Sequence, residues 1–469
     1  MSNFSQTDSL RLDLVPKYNV PGPRYTSYPT AVRFSADTPR SALLADALDD
    51  LTVAPSLSLY VHIPFCESLC WYCACNTVTT NDHARSRAYI ETLGLEAALW
   101  ADTACRLPPV TQLHFGGGTP TFLTPLEIRR LGELLHENFE FAPDAEISVE
   151  MDPRRLTPGH VGAYRELGMN RVSFGVQDFD SGAQRAVNRL QTLEMTRDAI
   201  TWAREAGCAS VNLDLIYGLP GQTGETFSRT LDEVLRLAPD RLAVFAYAHV
   251  PWLRPAQRVF ERAGSLPGPE MRLSLLGMAI ERLTGAGYVA VGMDHFALPS
   301  DELARAFREK RLHRNFQGYS TRAGLSILGL GATAISQTPG AFRQNEKDVA
   351  KWGARIEAGE FPVERGTLLS DEDRRRRELI MGIMCDGVLE YDVLAKKLGV
   401  DVREHYAGEL RKLAPLEADG LVRLGADRLE ATPAGRLFLR NIAMAFDAYL
   451  PPPVPAGSQE PAPHHSRTV

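Results

Sequence analysis

The stretch Leu57-Ser58-Leu59-Tyr60-Val61-His62-Ile63-Pro64-Phe65-Cys66-Glu67-Ser68-Leu69-Cys70-Trp71-Tyr72-Cys73-Ala74-Cys75 decides how this chain is read. The apolar run Leu57–Ile63 reads as a strand, and the loop behind it carries four of the chain's seven cysteines within ten residues. Cys66, Cys70 and Cys73 are spaced by three residues and then by two. Thiolates so placed on one loop can converge on a compact iron–sulfur cluster. Four ligands would close such a cluster. Three leave one iron open to an exogenous molecule, by the logic that separates catalytic from structural zinc sites. Zinc motifs usually bring two separated cysteine or histidine pairs, and no second pair follows here. A disulfide framework fits poorly with a long chain, an odd cysteine count and a polar N-terminus that is no secretory signal.

At 469 residues the chain is long enough for two or more domains. Hydrophobic content of 44% and charged content of 23% are those of an ordinary soluble globular protein, and no run approaches a membrane span. A cytoplasmic protein without a membrane partner is expected. The formal charge of −7 gives no global reason to expect nucleic acid. Cys105, Cys208 and Cys385 read as small buried hydrophobes.

Residues 1–50 read as an arm packing on the domain that follows, with Pro23-Arg24-Tyr25-Thr26-Ser27-Tyr28-Pro29 at its centre and prolines that forbid a long helix. From 51 to 340, apolar strands alternate with amphipathic helices. The predicted strands are Leu57–Ile63, Gln112–Phe115, Glu146–Glu150, Arg171–Val176, Val211–Ile216 and Leu242–Ala246. The helices include 83–104, 125–138 and 195–206, the last with Met195, Ala199, Trp202, Ala203 and Ala206 on one face. This order predicts an α/β fold with a parallel sheet, and six units suggest a partial (β/α)6 barrel.

Functional groups in such barrels gather at the carboxyl ends of strands. Here those ends carry the cysteine loop, His114-Phe115-Gly116-Gly117-Gly118-Thr119-Pro120, Glu150-Met151-Asp152, Gln177-Asp178, Asp214 with Tyr217-Gly218, and Tyr247-Ala248-His249. The glycines make a tight turn and also let backbone approach a ligand. Glu150, in a barrel expected to be mostly apolar, needs a partner: a ligand's ammonium group or a structural arginine. Gln177, Arg189 and Asp214 read equally well as barrel salt bridges. Asp294-His295 is either an acid–base element or a hydrogen-bonded core pair.

Residues 341–450 read as a small α-rich domain: a helix capped by Ser370, a helix pair over 390–398 and 402–413, a hairpin over 420–431, and a helix over 433–449. The order is winged-helix-like, but the mixed charges favour a lid over the barrel mouth rather than DNA binding. Residues 451–469, rich in proline, are expected to be disordered.

The cysteine spacing resembles the cluster loop of the radical S-adenosylmethionine (SAM) enzymes. Cys75, two residues on, narrows the resemblance to the oxygen-independent coproporphyrinogen III oxidases. That family is similar also in the arm, in Gly116–Pro120, Val187-Asn188-Arg189-Leu190-Gln191, Tyr247-Ala248-His249, Gly292–Phe296 and Asn315-Phe316-Gln317-Gly318-Tyr319. Tyr72 and Leu190 depart from the usual phenylalanine and isoleucine and keep their shape. The resemblance implies a radical SAM barrel with a 4Fe–4S cluster on Cys66, Cys70 and Cys73, and Cys75 needed but no ligand. It implies one SAM near Tyr60, Gly117, Glu150 and Ile335, and a second near Tyr72, Gly118, Thr119, Gln177, Arg189, Asp214 and Ala248. Phe316 and Gln317 would lie near the reacting centre, completing with Tyr60, Glu150 and Cys75 the catalytic set.

The implied reaction converts two propionates of coproporphyrinogen III to vinyl groups, giving protoporphyrinogen IX. A 5′-deoxyadenosyl radical made from SAM would take the hydrogen, since no side-chain base can. The four substrate carboxylates call for arginines at the mouth, with Arg24 and Arg314 as candidates and His295 or His249 as possible added charge. An electron donor such as flavodoxin or ferredoxin with its reductase is implied, and a monomeric enzyme. The rival readings are another radical SAM reaction on a tetrapyrrole and a haem-carrying chaperone.

Overall fold

The computed structural model describes residues 11–451 and 465–468. Its main sheet has twelve strands, numbered in chain order: β1 (Leu57–Ile63), β2 (Val110–Gly117), β3 (Phe141–Met151), β4 (Arg171–Gln177), β5 (Ser210–Tyr217), β6 (Arg241–Ala246), β7 (Val289–Val291), β8 (His295–Ala297), β9 (Ser326–Leu330), β10 (Ile335–Gln337), β11 (Ala341–Asn345) and β12 (Val363–Leu368). They lie in the order β12-β11-β10-β9-β1-β2-β3-β4-β5-β6-β8-β7. β1 to β6 pair in parallel, as the alternating pattern predicts. β9 joins β1 in parallel, and antiparallel strands extend both edges. β1 to β6 thus form an open barrel with their carboxyl ends on one rim.

Period-two alternation sorts the strand residues. In β2, Leu113 and Phe115 are buried against the outer helices, while Gln112 and His114 line the interior. The interior is therefore polar, not apolar as expected from the runs. Its floor is a chain of paired charges: Gln112 Nε2 donates to Glu146 Oε1 (2.9 Å), Glu146 pairs with Arg171 (2.9 Å), Arg171 with Glu302, and Arg241 with Asp301 (2.9 Å). Pairing removes most of the penalty of enclosing these groups.

The outer layer is helical: α1 (His83–Thr103), α2 (Pro125–Asn138), α3 (Pro158–Glu166), α4 (Leu193–Glu205), α5 (Gly224–Leu237) and α6 (Pro269–Gly285). α2 starts where Thr124 and Glu127 cap each other's backbone N–H groups, with Pro125 at the first helical position. α5 buries Phe227, Leu231, Val234 and Leu237, spaced three and four apart, each contributing about 1.5–3 kcal/mol. In α4 the buried face is Thr196, Ala199, Ile200 and Ala203, with Trp202 and Ala206 packed at its edge; of the predicted stripe only Met195 lies on the exposed side.

The large sheet does not stop at 340. β11 and β12 carry it to Leu368, and the C-terminal module begins with the helix Asp371–Asp386, capped by Ser370 as its sequence predicts. A three-stranded sheet of Val388–Glu390, Arg428–Ala431 and Val422–Leu424 follows the winged order. The expected second helix is broken into Val402–His405 and Ala407–Lys412, and the last one shortens to Leu439–Met444.

The arm bridges this module and the barrel. Tyr18 and Tyr25 donate to Asp419 and Asp447, and Arg24 donates to Ala246 O at the end of β6 (2.6 Å). Arg40–Val53 is a 14-residue helix within the stretch expected to have no long one, because no proline falls between Pro39 and its end. Of the tail, 452–464 and 469 lie outside the described residues. Ser466–Thr468 do not fit the expectation of disorder: they pair with the arm at Val20 and Gly22, and Arg440 binds carbonyls of both segments. Cys385 is buried, but Cys105 is exposed at the end of α1. Among the described residues, no helix is long and apolar enough to cross a membrane.

Glu96 joins α1 to the segment after β9. It is fully buried and accepts from Gly331 N (2.7 Å), Asn345 Nδ2 (2.8 Å) and Trp352 Nε1 (3.1 Å). Burial outweighs these donors and raises its pKa from 4.5 to about 7. Between those values the folded chain keeps a proton that the unfolded chain has released, so stability falls as pH rises. Denaturant titrations should show a slope of about 1 kcal/mol per pH unit over that window, flattened in Glu96→Gln.

Candidate active site

The cysteine loop is pinned by three strand ends. Gly118 N donates to Ile63 O (2.7 Å) and Thr119 N to Phe65 O (2.9 Å), docking the turn after β2 directly on it. A Cβ on Gly118 would stand 2.6 Å from Phe65 O and 2.7 Å from Pro64 O, and Gly117 has φ +120. These glycines are required by backbone approach. From beyond β4, Val187 O accepts from Trp71 N (3.0 Å) and Asn188 Nδ2 donates to Leu69 O (2.8 Å). From beyond β6, Gln257 Nε2 donates to Tyr72 O (3.0 Å) and Ala248 O (3.2 Å), and Arg254 to Ala74 O (2.6 Å).

The loop brings Cys66, Cys70, Cys73 and Cys75 to one cavity of about 170 Å³. Among the described residues, no group of three or more His, Cys, Asp or Glu is placed to hold a single metal ion. A cluster holds its irons apart, so its thiolates need not meet at one point, and the donor set fits one. Hydrogen bonding from the Cys75 thiol lowers Cys73 to about 6, while burial and the neighbouring sulfurs push Cys66 up to about 12. Cys66 therefore gives up its proton only when a metal takes its place.

The same cavity is lined by Tyr72, Gly117, Gly118, Thr119, Glu150, Gln177, Arg189 and Asp214. Gln317 lines a second cavity of about 190 Å³ in the barrel, which shares Glu150, Ser173 and Asp214 with the first. Two N–H groups here are buried without a hydrogen-bond partner, Arg189 Nε and Gln317 Nε2. Enclosed donors of this kind fit a polar ligand. Gln177 ends β4 at φ +67, where a shift in register breaks the pairing with β5. Such a strained backbone aims a side chain that regular pairing would not.

Glu150 is half exposed and pairs with His114 Nε2 (3.1 Å), not with a structural arginine. Burial, and then the charge of Glu150, raise Asp214 to about 6; Ser173 and Asn212 donate to it. Tyr60 lies at the inner wall, its ring stacked on His114 (5.9 Å). Burial lowers His62 to about 4, so it is neutral: its Nε2 donates to Asn76 O (3.1 Å), and Nδ1 accepts from Tyr60 (3.0 Å).

Other candidates lie apart from the cysteine cavity. Phe316 and Ile335 pack in an aromatic cluster with Phe34 and Phe342. Arg314 is buried over Tyr319, 3.9 Å from Asp294, with its Nε and Nη1 lacking a hydrogen-bond partner, and Arg24 donates to Ala246 O; neither lines the cysteine cavity. His295 pairs with Asp294 (2.7 Å) and His249 with Glu261 (3.1 Å). Sequence reasoning missed Arg154, Gln257 and Arg254. Arg154 follows a strand-end aspartate by two residues, a signal that was available; the other two follow no motif. Asp152 pairs with Arg189 (3.3 Å) and Arg154 (2.6 Å). Burial opposes its ionisation, but these guanidiniums prevail and hold it at about 2.

Residues 60–234 match the family model of the radical SAM superfamily, and residues 369–438 that of the HemN C-terminal domain. The chain is 45% identical over 442 residues to the oxygen-independent coproporphyrinogen III oxidase of Pseudomonas aeruginosa, covering 94% of this chain and 96% of that one. It is 45% identical to the protein of the same name from Escherichia coli, covering 94% and 95%. A solved structure described as "Coproporphyrinogen III oxidase (HemN) from Escherichia coli is a Radical SAM enzyme" superposes with a TM-score of 0.87 at 44% identity, covering 91% of this chain and 98% of that one.

The docked glycine turn makes a direct prediction. Gly118→Ala should lower the iron taken up on anaerobic reconstitution at least several-fold. Gly162→Ala, where a Cβ on α3 meets nothing within 4 Å, should keep full iron and gain up to about 1 kcal/mol of stability.

Proposed function

This chain belongs to the oxygen-independent coproporphyrinogen III oxidases of the radical SAM superfamily, and from that membership we propose how its own residues serve the reaction. It is the oxidative decarboxylation of two propionates of coproporphyrinogen III to vinyl groups, yielding protoporphyrinogen IX for haem biosynthesis without oxygen. A hydrogen-abstracting 5′-deoxyadenosyl radical, chemistry that no side chain can supply, comes with the 4Fe–4S cluster and SAM when they are bound.

Cys66, Cys70 and Cys73 would hold the cluster, and Cys75 would steady Cys73 by hydrogen bonding. Glu150, with His114 behind it, is suited to an ammonium group of SAM, with Tyr60 and the Gly117 backbone alongside. A second SAM would sit on the other wall against Tyr72, Thr119, Gln177, Arg189 and Asp214, with the Ala248 backbone nearby. Gln317 would reach toward the substrate from the barrel side. The walls orient the reacting carbon and exclude water and oxygen. The observation that supports this reading best is the single cavity shared by the cysteine loop and Thr119, Glu150, Gln177, Arg189 and Asp214, with the unpaired N–H of Arg189 among them. Flavodoxin or ferredoxin with its reductase would supply electrons to a monomeric, cytoplasmic enzyme.

The test is an anaerobic assay of the reconstituted, reduced protein with SAM and coproporphyrinogen III. Protoporphyrinogen and 5′-deoxyadenosine should form together, and both should vanish in Cys66→Ser. Deoxyadenosine without decarboxylation would point to another substrate, and haem retention without turnover to a carrier. For the second SAM, equilibrium dialysis should find two molecules per chain. Because Asp214 ionises near 6, the weaker affinity should rise as pH goes from 5 to 7, and Asp214→Asn should abolish that rise.

A further inference from the structure

Arg154 lies outside the motifs read from the sequence, yet its Nη2 stands 3.6 Å from Cys70 Sγ. Arg189 Nη1 approaches the same sulfur, also at 3.6 Å. Asp152 ties the pair together. It receives Arg154 Nε on both oxygens (3.0 Å each) and Arg154 Nη2 at 2.6 Å, with Arg189 Nη1 and Nη2 at 3.3 and 3.4 Å. The side chains of Arg154, Asp152 and Arg189 are only 17%, 11% and 8% exposed, so water screens them little. Two guanidiniums against one carboxylate leave a net positive charge at Cys70. Cys73 Sγ, by contrast, accepts a neutral backbone N–H, from Cys75 at 3.4 Å.

Hydrogen bonds and charge at ligand sulfurs set the potential of an iron–sulfur cluster. Taking up one electron adds one negative charge, and a fixed positive charge beside a ligand sulfur favours that state. We propose that Arg154, oriented by Asp152, is a positioning residue that raises the reduction potential of the cluster through Cys70. The proposal rests on the reading that Cys70 ligates that cluster. The electron comes from a one-electron protein donor of the flavodoxin or ferredoxin class, which is oxidised as the cluster is reduced; no bond is made or broken. Arg154 also lines a depression of about 350 Å³ on the outer side of the loop, with Cys66, Glu67, Arg155 and Leu190. It lines the cysteine cavity as well, and so stands between that depression and Cys70.

The test uses reconstituted full-length protein without SAM. Iron and sulfide are counted, then the cluster is titrated with dithionite and redox mediators and followed by electron paramagnetic resonance. At the wild-type midpoint, Arg154→Gln should lower the ratio of reduced to oxidised cluster about tenfold, equal to about 59 mV for a one-electron couple. Arg154→Lys, which keeps the charge, should recover most of that loss. Asp152→Asn removes the neutralising carboxylate and should shift the ratio the opposite way, which a merely loosened loop would not do. A wild-type midpoint in Arg154→Gln with full iron overturns the proposal. If Arg154→Gln takes up no iron, Asp152→Asn decides, and an unchanged or lowered ratio there overturns it. A wild-type protein with no 4Fe–4S signal at all overturns the underlying reading, and this one with it.

Discussion

The bond from Gly118 N to the Ile63 carbonyl, at 2.7 Å, is the contact on which the site depends. Three thiols on one loop can serve a cluster only if the loop is fixed before the metal arrives. That fixing is done by backbone, at a distance no side chain could tolerate at position 118. Once the turn after β2 is seated, Glu150 on β3 and Asp214 on β5 line one cavity with the cysteines. The parallel sheet supplies the rest, since its register puts every carboxyl end on the same rim.

A polar interior inside an apolar shell follows from the same arithmetic. Along each strand, alternate residues face the helices and bury hydrocarbon, while the others face the cavity. Facing charges there are neutralised in pairs on the floor, Glu146 with Arg171 and Arg241 with Asp301. Nearer the rim the balance is left uneven: Asp214 has only neutral donors, and Cys70 has two guanidiniums sharing one carboxylate. The floor gives rigidity, and the rim keeps its electrostatic field for whatever binds.

Much of this was legible in the sequence, for identifiable reasons. Six parallel strands and their helices could be read because apolar runs are local signals, as is a cap such as Ser370. The cysteine loop and glycine turn could be read because their spacing carries chemistry. The sheet beyond 340 could not, since β11 and β12 are short strands in which Arg343, Gln344, Asn345, Glu364 and Arg365 interrupt any apolar run. Arg24 and Arg314 were expected at the mouth on charge alone; the carbonyl of Ala246 and the ring of Tyr319 hold them instead. Gln257 reaches the cysteine loop across 185 residues of chain, and no spacing rule spans that distance.

The central claim is that three cysteines, not four, hold the cluster, so that one iron stays open toward the cavity. The most direct measurement is the electron paramagnetic resonance spectrum of the reduced cluster with and without SAM, in wild type and in Cys75→Ser. The account predicts that SAM changes the spectrum in both proteins and that Cys75→Ser retains a four-iron cluster. A wild-type spectrum indifferent to SAM, with the cluster lost in Cys75→Ser, would make Cys75 the fourth ligand and contradict it.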